Sequence, residues 1–289
     1  MSYRPEGGDF VVENGRHRFN RPLYAGNTGF RSEAGDRPEF GFFFPGRGGN
    51  LRFAVIADGS GKPPLWLHQA ASVKARYRAG SMVYEIRDPL FGEAGLVLTA
   101  LPAAEMEAVL FRLETRGRHP DLRLVWSYGG GDEHPGRRNG DLNAENEPLG
   151  RYFSFRPEHT RGHRYGLRGD GFALAHRKGT LIGVLPPGAK AVIADARHWN
   201  APGDLLKPPP RAPGTPVAAG ELPLVGGRAV TMAIHMVRPK QNPRLRGGDL
   251  DRVFEKSEAF RKSLVRRLEV DTPDPYLNAA ASEIGRAHV

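Results

Sequence analysis

The sequence of 289 residues contains 37 glycines, 25 prolines and no cysteine, enough chain for one large β domain or two ordinary ones. The lack of cysteine excludes disulfides, thiolate metal sites and a cysteine nucleophile. No stretch approaches the ~20 apolar residues of a membrane-spanning helix. The formal net charge of +10 invites a nucleic-acid function, but the basic residues are mostly arginines scattered along the predicted strands. We therefore expect neither nucleic acid nor a membrane as a partner.

The two ends of the chain carry separate signals. The first eight residues contain no apolar segment of the kind that a secretory signal needs. The protein is therefore expected to be cytoplasmic if Met1 is the true start, and periplasmic or secreted if translation begins upstream. Residues 284–289 read Ile-Gly-Arg-Ala-His-Val, the in-frame translation of a common sequencing adapter. We expect them to be an adapter-derived tail and exclude them from fold reasoning.

Short β-favouring runs, separated by Gly, Pro, Asn or Asp, follow one another up to about residue 239. Residues 81–87 and 109–114 alternate apolar and polar side chains, as in a sheet that packs one face on a second sheet. The predicted strands are 9–13, 40–44, 51–57, 72–78, 82–87, 95–101, 108–115, 122–128, 152–155, 172–176, 181–185, 191–196 and 229–237. No amphipathic helix intervenes, so we predict an all-β fold, a large two-sheet antiparallel super-sandwich over residues 1–240.

Two segments interrupt this series, and a helix follows it. Residues 129–150 are too long and polar for a simple hairpin and predict an excursion from the sandwich rim. Residues 201–223 contain three successive prolines and predict a surface loop or stiff spacer. Helical spacing then begins after Asp249, the predicted N-cap, within a linker segment at 241–270. The predicted apolar face comprises Val253, Ser257, Phe260, Leu264 and Leu268, and Phe254 and Val265 widen it.

The order of a large sandwich, a linker helix and the segment Thr-Pro-Asp-Pro-Tyr-Leu-Asn at 272–278 resembles the six-hairpin (α/α)6 glycosidases and glycoside phosphorylases. The first fifty residues are more closely similar to the N-terminal domain of an uncharacterised group of six-hairpin-glycosidase-like bacterial proteins. The segments that carry this similarity are 6–11, 18–24, 33–40 and 45–51. The resemblance implies a noncatalytic β-sandwich that braces a catalytic barrel, with residues 271–283 as the start of a missing helical domain.

The same resemblance implies a carbohydrate-active enzyme that acts on a poly- or oligosaccharide. Its catalytic carboxylates would lie in the barrel, so no catalytic residue is assigned within this chain, and the chain alone is expected to be inactive. Inverting hydrolysis would require an acid and a base ~6.5–9.5 Å apart.

Five residues are candidates for substrate binding. Asn20, Arg21 and Asn27 form a polar group in a segment otherwise suited to strands, and their amide and guanidinium groups suit sugar hydroxyls. They suit a buried network between the first hairpins equally well. Asp132 and Glu133 follow three glycines on the long excursion and could reach a neighbouring active site, with a solvated turn as the alternative.

Other chemistry-bearing residues favour structural interpretations. His159 and His163 are four residues apart, but an intervening glycine and the flanking strand pattern argue against a metal-binding helix, so neither a metal nor a cofactor is predicted. Trp66 and Trp199 could stack on sugar rings, although aromatic side chains are most often part of a core. Residues 46–50 lack the Lys-Ser/Thr of a phosphate-binding loop and favour a hairpin turn.

Two alternative functions remain from the sequence. The first is a standalone carbohydrate-binding module, suited to anionic glycans because of the positive net charge. The second is a nucleic-acid binder, whose affinity would fall steeply with salt.

Overall fold

A computed structural model of the protein describes residues 3–17, 20–25, 27–44, 47–118, 121–131, 155–224, 227–239 and 245–287. Within these residues the chain forms two large antiparallel sheets and few helices, which confirms the predicted all-β sandwich with a helix near its C-terminal end. No helix in the described part of the chain is long and apolar enough to cross a membrane.

The strands and helices follow in chain order. The first nine strands are β1 (Arg4–Glu6), β2 (Asp9–Glu13), β3 (Asn20–Ala25), β4 (Asn27–Gly35), β5 (Glu39–Phe44), β6 (Arg47–Ala57), β7 (Leu65–Trp66), β8 (Ser72–Arg78) and β9 (Ser81–Arg87). The others are β10 (Gly95–Pro102), β11 (Ala108–Arg116), β12 (Leu122–Gly131), β13 (Tyr165–Arg168), β14 (Gly171–His176), β15 (Gly179–Val184), β16 (Lys190–Asp195), β17 (Pro216–Pro223) and β18 (Val230–Val237). The helices are α1 (Pro202–Leu205), α2 (Leu250–Val265) and α3 (Pro275–Ala287).

The sheets differ in size. Among the described residues, the larger sheet has ten strands in the order β1-β2-β8-β9-β10-β11-β18-β15-β14-β13. The smaller sheet has eight strands, seven in the order β16-β17-β12-β6-β5-β4-β3 and β7 beside β6. Strand β18 comes last in the chain order yet lies between β11 and β15, well inside the larger sheet.

The main core lies between the sheets, because side-chain alternation directs one face of every strand inward. Phe40 of β5 shows how the two sheets meet. Its ring centroid lies 4.7 Å from that of Phe111 and 5.8 Å from that of Tyr84, both in the larger sheet. All three side chains are fully buried, and burial of each such side chain stabilises the fold by ~1.5–3 kcal/mol.

The prediction of a loop over residues 201–223 is wrong for the final part of this segment, which forms β17 between β12 and β16. Flanking prolines and the weak β propensity of alanine and glycine conceal this strand in the sequence. Gly220 has a packing role, since an added Cβ would lie 2.0 Å from the Lys190 carbonyl oxygen and 2.9 Å from the Trp126 ring.

We expect Gly220→Ala to lower the free energy of unfolding by about 1–3 kcal/mol, because the new methyl group forces β16 and Trp126 to move. Equilibrium urea denaturation measures this change. Gly214→Ala is the control, since nothing lies within 4 Å of a Cβ added at Gly214. Equal stability of the two variants would contradict the close packing at Gly220.

Helix α2 packs on the outer face of the larger sheet. Leu250, Val253 and Phe254 bury their side chains in a second apolar cluster together with residues of β10, β11, β15 and β18. Of the predicted helical face, Val253, Ser257 and Leu264 are buried, but Phe260 is 40% exposed and Leu268 lies beyond the end of the helix. Asp249 precedes the helix, but its carboxylate accepts from Arg252 at 2.8 Å and makes no capping hydrogen bond.

Charged contacts fix α2 further. Glu258 of the helix accepts from Arg78 of β8 at 3.2 Å and from Arg261, one turn on, at 2.8 Å. Arg112 of β11 lies 3.7 Å from the centroid of the Phe254 ring and pairs with Asp251. The helix is therefore attached to the sheet by apolar and ionic contacts together.

Candidate functional site

The outer face of the smaller sheet carries buried polar side chains where alternation alone predicts solvated ones. Glu33 is 1% exposed and Glu39 is 4% exposed. Other buried polar residues on this face are Arg31, Asn50 and Ser127. Because a buried charge costs several kcal/mol unless it is paired, this face is built around ion pairs.

The largest group, which we call the Glu39 cluster, comprises Glu39, Arg52, His17, His68 and Asn200. Glu39 and Arg52 are directly opposite in the β5–β6 register, so their side chains project on the same side of the sheet. One carboxylate oxygen of Glu39 accepts from Arg52 Nη2 at 3.0 Å, and the other lies 3.0 Å from His17 Nδ1. His68 Nε2 is 3.8 Å from Glu39, and Arg52 Nη1 donates to Asn200 Oδ1 at 3.3 Å.

Aromatic rings enclose the inner side of this cluster. The Arg52 guanidinium lies 5.9 Å from the Trp66 ring centroid and 5.5 Å from that of Trp199. The His68 ring stacks on Trp66 at 6.1 Å. Each tryptophan is 3% exposed. Both rings therefore line the buried side of the cluster, and neither is accessible for stacking on a sugar.

The contacts set the protonation of the cluster. Burial acts to raise the pKa of Glu39, but the hydrogen bond from His17 and the charge of Arg52 outweigh it, and the pKa is lowered. The hydrogen bond to Glu39 raises the pKa of His17. Burial lowers the pKa of His68 to about 4. At neutral pH Glu39 is therefore ionised and His68 is neutral.

A tightly held loop presents His17 to Glu39. Asn14 and His17 adopt left-handed backbone conformations with φ of 49° and 55°, which side chains other than glycine adopt infrequently. The His17 amide donates to Asp36 at 2.9 Å, and Arg37 Nε donates to the Gly15 carbonyl at 2.9 Å. These contacts to the β4–β5 connection fix the loop conformation.

The structure separates the residues that the sequence grouped as substrate-binding candidates. Asn20 and Arg21 are successive residues of β3 and therefore point to opposite faces. Asn20 donates to Glu33 at 2.5 Å, whereas the Arg21 guanidinium lies 4.8 Å from the Tyr77 ring centroid. Asn27 begins β4, opposite Ala25. The remaining two candidates, Asp132 and Glu133, lie outside the described residues.

Other sequence motifs have simpler outcomes. His159 lies in a short 3-10 helix, Pro157–Thr160, and His163 is buried beyond it. The described residues contain no group of three or more His, Asp or Glu side chains placed to hold a metal ion. Of the predicted strand at 152–155, Phe155 lies outside any strand and the other residues are not described.

The comparisons with known proteins give a family and a fold. Residues 44–258 match a family model described as a domain of unknown function, DUF4450. The match covers most of the chain, so the chain belongs to this family. No curated protein matches the sequence.

Among solved structures, the chain is similar to a bacterial glucoamylase complexed with acarbose, with 9% identity and a TM-score of 0.53. The alignment covers 90% of this chain and 37% of the glucoamylase chain. A putative kojibiose phosphorylase from the human microbiome aligns over 98% of this chain and 38% of that chain, with 11% identity and a TM-score of 0.40. At the level of fold, the glucoamylase match agrees with the sequence resemblance to glycosidase-related proteins.

Proposed function

We propose that this chain is the noncatalytic β-sandwich portion of a glycoside hydrolase-like, carbohydrate-active enzyme and that it braces a helical catalytic domain. The observation that carries the proposal is the fold shared with the glucoamylase. The alignment covers 90% of this chain but 37% of the glucoamylase chain. In this proposal residues 1–240 form the sandwich, 241–270 the linker helix and 271–283 the start of the helical domain. The substrate class is a poly- or oligosaccharide.

The pairing of the buried carboxylates supports a noncatalytic role. Glu33 and Glu39 are diagonal neighbours on adjacent strands, for which ~7–8 Å is typical, within the spacing of an inverting pair. A general acid must however keep its proton near neutral pH, which requires a raised pKa. Glu39 has a lowered pKa, and Glu33 pairs with Arg31 at 3.0 Å. Neither carboxylate is suited to protonate a leaving group.

Purified chain should therefore release no glucose from maltotetraose or acid-swollen starch above a buffer blank, while a glucoamylase added to the same assay does. Glu33→Gln and Glu39→Gln variants serve as controls for contaminating activity. Turnover by the wild-type chain that either variant abolishes would contradict the proposal, because it would place chemistry on the sandwich itself.

Exposed apolar side chains on the two C-terminal helices and between them support the bracing role. Tyr276 and Leu277, in the first turn of α3, are 52% and 56% exposed. Phe260, Leu268 and Val270 are also exposed, between 37% and 40%. Apolar side chains concentrated in one segment are typical of a contact surface, and in this proposal the following helical domain covers them.

We expect the isolated chain to self-associate through this surface, since burial of two large apolar side chains favours contact by ~1.5–3 kcal/mol each. A Tyr276→Ser, Leu277→Ser double variant should sediment closer to the monomer at equal concentration. Leu167→Ser is the matched control, because Leu167 is 52% exposed but lies in β13. A wild-type chain that stays monomeric at every concentration would contradict the exposed contact surface.

A further inference from the structure

We propose that the Glu39 cluster is a subsite for a neutral oligosaccharide, in which His17 Nε2 and Asn200 Nδ2 hydrogen-bond to sugar hydroxyls. The inference rests on the proposed function and deepens it, because it identifies where a carbohydrate-related sandwich would contact its ligand. The supporting observations are the open side of the cluster, its rigid construction, its charge balance and its unused hydrogen-bonding groups.

The two contact groups lie on the open side of the cluster. The His17 side chain is 41% exposed, and its Nδ1 is committed to Glu39, so Nε2 is the ring nitrogen left for a ligand. Asn200 is exposed, and its Oδ1 accepts from Arg52, which leaves its amide nitrogen for a ligand. A histidine nitrogen and an amide N–H together supply the acceptor and donor that a sugar hydroxyl uses.

Both contact groups are fixed before a ligand arrives. Glu39 and Arg52 join them through consecutive polar contacts, from His17 to Glu39, to Arg52 and to Asn200. Asp36 and Arg37 hold the His17 loop in its left-handed conformation. Sparsely populated backbone conformations persist where the surroundings impose them, and they concentrate at ligand sites. A fixed site also loses less conformational freedom on binding.

The charges of the cluster favour a neutral ligand. The carboxylates of Asp36 and Glu39 balance the guanidinium groups of Arg37 and Arg52, which all lie within one set of connected contacts. His68, which faces Glu39, is neutral because burial lowers its pKa to about 4. Within these contacts an anionic sugar would therefore meet no net positive charge while His17 is neutral.

Unused polar atoms remain behind the contact groups. Ser127 Oγ, Trp199 Nε1 and His68 Nδ1 are buried and have no hydrogen-bond partner among the described residues. Ser127 is opposite Arg52 in the strand register, and the Trp199 ring centroid is 5.5 Å from the Arg52 guanidinium. Folded proteins leave few buried polar groups unpaired, so three of them around Glu39 and Arg52 favour a polar site here.

Nuclear magnetic resonance with 15N-labelled histidine and asparagine tests the subsite directly, with maltotriose as the probe. We expect saturable shifts of the His17 ring and Asn200 side-chain resonances, while His198, which is exposed near Asn200, stays unchanged. His17→Ala and Asn200→Ala should each weaken maltotriose binding by about 5- to 10-fold, as expected for one lost hydrogen bond. His198→Ala should bind as the wild type does.

Three outcomes would overturn the subsite. These are no maltotriose binding, binding that both variants retain at full strength, and tighter binding of trigalacturonate that weakens with added salt. Asn200 is exposed, so Asn200→Ala keeps the test valid even if His17→Ala unfolds. The glucose-release and sedimentation measurements are independent of this titration, so failure of the subsite and failure of the proposed function are distinguishable.

Discussion

Glu39→Ala will lower the free energy of unfolding by about 3–5 kcal/mol, as measured by urea denaturation at pH 7. The reason is the burial of Arg52, whose side chain is 13% exposed and pairs with Glu39 at 3.0 Å. Removal of one partner from a buried ion pair leaves the other charge without compensation, and that costs more than the pair itself contributes. His17 also loses the acceptor that holds its ring.

The control for this prediction is Glu93→Ala, since Glu93 is exposed and its loss should change stability by no more than about 0.5 kcal/mol. The effect of Glu39 should also depend on pH. Its folded-state pKa is lowered, so its contribution is present above the unfolded pKa near 4.5 and disappears as the pH falls through the folded value. A Glu39→Ala variant as stable as Glu93→Ala at pH 7 would show that Arg52 does not depend on the pair.

The contribution of His17 to stability depends on pH in the opposite direction, because it is lost at alkaline pH. The pKa of His17 is raised by Glu39, so its contribution is fully present below the unfolded value near 6.5 and is lost as the pH rises through the folded value. His17→Ala should therefore cost most between about pH 5 and pH 6. Denaturation curves for this variant at pH 5.5 and pH 8.5 measure the difference, and an equal loss at both would contradict the charged pair.

Phe254→Ala should lower the free energy of unfolding by about 3–5 kcal/mol and release α2 from the larger sheet. Phe254 is 6% exposed, and Arg112 lies 3.7 Å from its ring centroid. The substitution removes the largest apolar side chain with which α2 contacts the sheet, and the arginine then loses its aromatic contact. Amide hydrogen exchange should accelerate in α2 more than in the central strands.

Phe260→Ala provides a matched control on the same helix. Phe260 is 40% exposed, so its removal should cost less than about 1 kcal/mol. The sequence predicts both aromatic side chains on the apolar face of the helix, whereas the structure buries Phe254 and leaves Phe260 partly exposed. A larger loss for Phe260→Ala would mean that the helix presents a different face to the sheet.

Alternation and turn residues predicted much of the sandwich. The predicted limits of β2 and β8 agree with the structure. β2 lies between Gly8 and Asn14, and β8 alternates apolar and polar side chains and ends shortly before Gly80. β17 was missed because alanine and glycine in a strand give little signal. The predicted apolar face of α2 is correct at Val253, Ser257 and Leu264, which are buried, and wrong at Phe260, which is 40% exposed.

The Glu39 cluster was missed for a different reason. A charged residue that alternates with phenylalanines, as Glu39 does beside Phe40, ordinarily predicts a solvated strand face. The opposite charge of Arg52 on the paired strand was the available signal. Asn200, however, is 148 positions from Arg52 along the chain. A contact between residues so far apart in sequence leaves no periodic pattern that could predict it. Asn20 donates to Glu33 across the β3–β4 hairpin, and that partner depends on the strand register.

The position of β18 has a consequence for biosynthesis. The two strands that flank it, β11 and β15, are made long before residue 230 leaves the ribosome, and until then each presents an unpaired edge. Such edges are hydrogen-bonding templates for other chains. The strands of the larger sheet join into one sheet only when β18 is inserted between β11 and β15. This pairing is long-range in sequence and therefore slows folding. Nascent chains of this protein should therefore depend on chaperones until their last strand emerges.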